Sequence, residues 1–70
     1  MKLVVNGKQI DLAESLTVSE LLTEQEVKMP EMVSVEVNGE ILKRTEFDTK
    51  RLQDGDKVEF LYFMGGGGGA

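Results

Sequence analysis

The sequence predicts an α+β domain in which one sheet packs on one helix. Three observations carry that prediction. Two Asn-Gly pairs, Asn6-Gly7 and Asn38-Gly39, follow short β-branched segments. Asn-Gly is the strongest short hairpin signal, because a type I′ turn needs positive φ at both central residues. Between them lies one segment of helical spacing, opened by a T-x-x-E start, and a last apolar strand follows. The order ββ-α-ββ-turn-β buries its apolar faces most simply as one sheet on one helix.

Lys2 to Val5 is β-branched, and beyond the first turn Ile10 and Leu12 alternate with Gln9 and Asp11. Residues 2–12 therefore read as a hairpin. Thr17 and Glu20 form a capping box, and Leu16 and Leu21 have the spacing of a hydrophobic staple. Val18, Leu21 and Leu22 fall at i, i+3 and i+4, which gives the helix one apolar face. It is expected to run from about Val18 to about Glu26, and Pro30 excludes continuation beyond Met29. Glu20, Glu24 and Glu26 read as its solvated face. Met29 and Met32 are expected to cover the end of the core as adaptable fillers.

Val33, Val35 and Val37 alternate with Ser34, Glu36 and Asn38 as a strand, and Ile41-Leu42 begins its return. Thr45 to Arg51 is irregular and predicts a short helical turn carrying Phe47 inward. Asp54-Gly55-Asp56 is a tight turn, with both carboxylates expected to cap backbone N–H groups rather than hold a cation. In the last strand Val58, Phe60 and Tyr62 alternate with Glu59, Leu61 and Phe63. Glu59 marks the second set as the solvent face. Leu61 and Phe63 are then exposed apolar residues, the kind of surface that marks a partner site.

With 70 residues the chain makes one small domain. Folding at this size buries only about 60% of the unfolded chain's surface, so the core is thin. Cysteine and histidine are both absent. That removes disulfides, thiolate or imidazole metal ligands and the usual neutral-pH base, so neither a catalytic residue nor a metal site is expected. Eight basic against 13 acidic residues give a net charge of −5, which disfavours nucleic acid as a partner. No G-x-x-x-x-G-K-[S/T] loop is present to hold a nucleotide. No signal peptide or membrane span is visible, so a cytoplasmic protein, monomeric when free, is the expectation. Residues 1–64 read as the domain and residues 65–70, five glycines and an alanine, as a flexible tail.

Several segments together resemble a known family. They are Val5-Asn6-Gly7, Leu16-Thr17-Val18-Ser19-Glu20-Leu21-Leu22, Val35-Glu36-Val37-Asn38-Gly39-Glu40 and Leu52-Gln53-Asp54-Gly55-Asp56-Lys57-Val58-Glu59-Phe60, with glycines at the end. In order and spacing the whole chain resembles the ThiS/MoaD sulfur carriers, ubiquitin-like β-grasp proteins. It looks closer to the ThiS branch, being compact and without insertions. The resemblance implies a mixed sheet on one main helix with a flexible glycine tail. It also implies a protein cosubstrate, not an enzyme, with no bound cofactor. An E1-like adenylyltransferase would use ATP to adenylate the terminal glycine carboxylate. A desulfurase would supply sulfur as a persulfide. The thiocarboxylate would pass to an acceptor synthase such as thiazole synthase, or to one serving cysteine or homocysteine formation. Glycine suits such a tail because, lacking Cβ, it enters a narrow channel and adopts any φ/ψ imposed there.

Ala70 departs from the family's Gly-Gly end. Some carriers of this type are made with extra C-terminal residues that a metalloprotease removes. The resemblance then puts adenylation and thiocarboxylation at Gly69, after loss of Ala70, with Gly68 beside it. The expected partner-docking residues are Leu61, Phe63, Gly65, Gly66 and Gly67. Three alternatives stay open: a molybdopterin-type carrier, a ubiquitin-like modifier joined to lysines, and a plain interaction domain on the same scaffold.

Overall fold

Both Asn-Gly pairs close the hairpins that the sequence predicts. In the structure, a computed structural model that describes residues 1–62, Asn6 and Gly7 have φ of 52° and 82°, and Asn38 and Gly39 have 51° and 87°. Positive φ at both positions is the type I′ combination, whose twist matches the flanking strands. Asn6-Gly7 joins β1 (Lys2–Val5) to β2 (Lys8–Asp11), with Leu3 opposite Ile10 and Val5 opposite Lys8. Asn38-Gly39 joins β3 (Val33–Val37) to a two-residue β4 (Glu40–Ile41). β5 (Lys57–Tyr62) lies between the two hairpins, parallel to β1 and antiparallel to β3. The five-stranded mixed sheet has the order β2-β1-β5-β3-β4.

The one α-helix among the described residues, α1 (Val18–Glu24), starts as the capping box predicts. Glu20 N–H donates to Thr17 Oγ1 at 3.2 Å, and Thr17 N–H donates to Glu20 Oε1 at 2.9 Å. Its end differs from expectation. Gln25 is the C-cap and Glu26 turns left-handed at φ 54°. Glu26 N–H then reaches the Thr23 carbonyl at 3.0 Å, and Val27 N–H reaches the Leu22 carbonyl at 3.0 Å. That pair of bonds is a Schellman motif built on glutamate instead of glycine. The helix therefore stops well before Pro30. Glu20, Glu24 and Glu26 are all exposed, as expected.

One face of the sheet and the inner face of α1 enclose the core. Leu3, Val18, Leu21, Val33 and Val35 are fully buried, and Leu52 and Val58 nearly so. A 3₁₀ turn, Arg44–Glu46, starts one residue earlier than predicted and delivers Phe47 inward, 6% exposed. The Asp54-Gly55-Asp56 turn is capped as expected. Asp54 accepts the Lys2 N–H at 2.7 Å, and Asp56 accepts the Gln53 N–H at 2.8 Å.

The expectation for the methionines is corrected. Met29 and Met32 are 60% and 49% exposed. Met29 is itself left-handed, at φ 57°, just before the 3₁₀ turn Pro30–Met32. Arg44 ties that end of the fold instead. Its guanidinium donates to the Val33 carbonyl at 2.7 Å and the Pro30 carbonyl at 3.2 Å, and it lies 5.3 Å from the Phe47 ring centroid. One planar fork thus joins the entry of β3 to the turn that carries Phe47.

Candidate functional site

The candidate site is the end of β5, the strand that leads into the glycine run. Its alternation is the one expected: Val58 and Phe60 are buried and Glu59 is exposed. Leu61 lies on the Glu59 face, opposite Ser34 of β3, but is half-buried rather than exposed. Burial depends on a strand about 27 residues away in the chain, which period-2 reasoning does not see. Tyr62, expected with the inward set, is opposite the fully buried Val33 yet remains 51% exposed. There a cleft of about 420 Å³ opens between β5 and the segment after α1, lined by Asn6, Val27, Lys28, Phe60 and Tyr62 among others. Met32, one residue before Val33, adds exposed apolar surface at the same end of the sheet. Phe63, Gly65, Gly66, Gly67, Gly68 and Gly69, the other expected site residues, lie outside the described residues.

Sequence reasoning treated the two Asn-Gly pairs as turns and nothing more. The structure gives their side chains a second task. In the β1–β5 ladder, Val4 N–H donates to the Asp56 carbonyl at 3.0 Å and Asn6 N–H to the Val58 carbonyl at 2.9 Å. The next rung of a parallel ladder would join the Phe60 N–H to the Asn6 carbonyl. Asn6 has turned left-handed into the hairpin, and its side-chain Oδ1 accepts the Phe60 N–H instead, at 2.8 Å. Asn38 repeats the device at the other end of β5. Its N–H donates to the Lys57 carbonyl at 2.7 Å, while its Oδ1 accepts the Lys57 N–H at 2.9 Å. Its Nδ2 also donates to Asp56 Oδ1 at 3.0 Å. Two turns thus clasp the strand between them. The available signal was the choice of Asn, which tolerates the αL region and carries an acceptor, where Gly would satisfy the turn alone.

The described residues hold no group of three or more acidic side chains placed for a metal ion, and no helix among them is long and apolar enough to cross a membrane.

A five-stranded mixed sheet, with the last strand at its centre and one helix across its inner face, defines a β-grasp domain. Here that central strand is followed in the sequence by Phe63, Met64 and then the glycine run. The chain belongs to the ThiS family, whose pattern its residues 3–67 match. It is 56% identical to the thiamine biosynthesis protein ThiS of Geobacter metallireducens in a crystal structure, covering 96% of this chain and all of that one, with a TM-score of 0.87. A solution structure of a thiamine biosynthesis protein from the same organism is 58% identical, covering 96% of this chain and 88% of that one, at a TM-score of 0.77. The chain is also 42% identical over 67 residues to a thiazole synthase of Paramagnetospirillum magneticum. That match takes in 96% of this chain and 20% of the relative, so the chain spans about a fifth of that curated protein's length.

Proposed function

We propose that this protein is a sulfur carrier of thiamin biosynthesis, consumed and regenerated as a cosubstrate rather than acting as a catalyst. The observation that carries the reading is the extent of the family match, which continues through β5 into Gly65, Gly66 and Gly67. The names of the similar proteins favour thiamin over the amino-acid and molybdopterin alternatives. The chemistry follows from the carboxylate. It is a poor electrophile until one oxygen joins a good leaving group. An E1-like partner supplies that group: the carboxylate attacks the α-phosphorus of ATP and pyrophosphate leaves. The terminal sulfur of a desulfurase persulfide then attacks the acyl carbon and AMP leaves. A thiol reduces the resulting acyl disulfide and frees the thiocarboxylate. The atom converted is the carboxylate of Gly69, once Ala70 is removed, with a thiazole synthase as the acceptor. The thiazole synthase relative, which contains a segment similar to this whole domain, supports that choice of acceptor.

Deleting Gly68 to Ala70 tests the reading. ATP–pyrophosphate exchange by the cognate E1-like enzyme is expected to vanish while the domain stays folded. Exchange that survives the deletion would mean that the tail is not the substrate.

Leu61→Asp is expected to weaken docking to that enzyme. The new carboxylate would join Glu59 and Glu36 on the same face. Because Leu61 is only half-buried, its stability cost should stay near the roughly 1 kcal/mol typical of a single substitution. Thermal unfolding alongside exchange kinetics separates the outcomes. A loss of several kcal/mol would show that Leu61 serves the core, not a partner.

A further inference from the structure

We infer that Asn6 is a positioning residue for activation of the tail, acting by holding the end of β5 in the sheet. The inference rests on the carrier reading above. β1 supports β5 only as far as its own end, and the Phe60 N–H, part-buried, is the last β5 group held from that side. Beyond Phe60, Leu61 and Tyr62 pair with β3 alone. The group that holds Phe60 is a side chain, Asn6 Oδ1, because the Asn6 main chain has already left the ladder. One atom thus decides whether the ladder is two-sided up to Phe60 or ends at Val58.

Asn6 satisfies two demands at once. The turn requires positive φ, which Asn, Asp and Gly tolerate. The clasp requires a short side-chain acceptor, which Asn and Asp have and Gly lacks. Asn6→Gly therefore keeps the hairpin and removes the clasp, whereas Asn6→Asp keeps both. Asn38 provides a matched control: the same turn and the same carbonyl substitution, but at the start of β5, far from the tail.

A frayed strand end has to re-form before the partner can dock. The apparent affinity then falls by the fraction of molecules that are competent, while the docked complex reacts as before. The experiment measures adenylation by the cognate E1-like enzyme as a function of carrier concentration, together with hydrogen exchange at the Phe60 amide. Asn6→Gly is expected to raise KM at least about fivefold with kcat changed by less than about twofold. Phe60 exchange should accelerate, and Asn6→Asp should restore both. Asn38→Gly is expected to lower thermal stability comparably and leave KM unchanged. Equal KM for wild type and Asn6→Gly overturns the inference, as does equal damage from Asn6→Asp or from Asn38→Gly. All chains in the comparison end at Gly69, and a parent chain of that length that is not adenylated at all overturns the carrier reading, and this inference with it.

Discussion

A chain ending at Gly69 is expected to be adenylated about a hundredfold faster than one ending at Ala70, because placement errors of about 1 Å already cost that much. The added residue extends the backbone by roughly 3.3–3.6 Å and carries the carboxylate past the position in line with the α-phosphate. Its methyl group must also enter a site shaped for glycine. Buckling of the glycines offsets part of the error, since residues without Cβ reach conformations closed to others. The two proteins, made separately and offered to the same E1-like enzyme with ATP, give the answer directly. Equal initial rates would show that alanine is tolerated and that no processing step is needed.

Leu21→Ala is expected to cost about 2–5 kcal/mol of folding stability. Leu21 has no exposed surface and faces the sheet from the first turn of α1. A domain of 70 residues has a total stability of about 4–10 kcal/mol, at roughly 0.05–0.15 kcal/mol per residue. One truncated leucine therefore removes a large share, and with 12 buried apolar residues among the described residues little remains to collapse into the cavity. Urea unfolding of both proteins measures the difference. A loss below about 1 kcal/mol would mean that the helix sits less firmly on the sheet than its burial implies.

Much of this architecture was legible because its signals are local. Asn6-Gly7 and Asn38-Gly39 announce positive φ within two residues, and Thr17 and Glu20 announce a helix start within four. The alternation of Val58, Glu59 and Phe60 shows which face of β5 is inward. What escaped depends on partners distant in the chain. The helix ends at Glu24, short of the expected Glu26 and with no glycine to signal it, because the Schellman bonds to the Leu22 and Thr23 carbonyls support a left-handed Glu26. Met29 and Met32 look like core residues until Arg44, more than ten positions later, is found tying the carbonyls of Pro30 and Val33. The second task of Asn6 requires a strand 54 residues on to lie parallel to β1. The site divides in the same way. The glycine run points to the tail from composition alone, whereas the half-burial of Leu61 and the exposure of Tyr62 depart from the strand's alternation and show only in the folded domain.

The central claim is that this chain carries sulfur on its C-terminal glycine. Intact-mass spectrometry of the chain ending at Gly69, after incubation with ATP, its E1-like enzyme, a desulfurase with cysteine and a thiol reductant, tests it most directly. The account predicts a mass gain equal to one sulfur replacing one oxygen, confined by fragmentation to Gly69. A protein whose mass is unchanged under conditions that exchange pyrophosphate, or one recovered as adducts on lysines of other proteins, would contradict it.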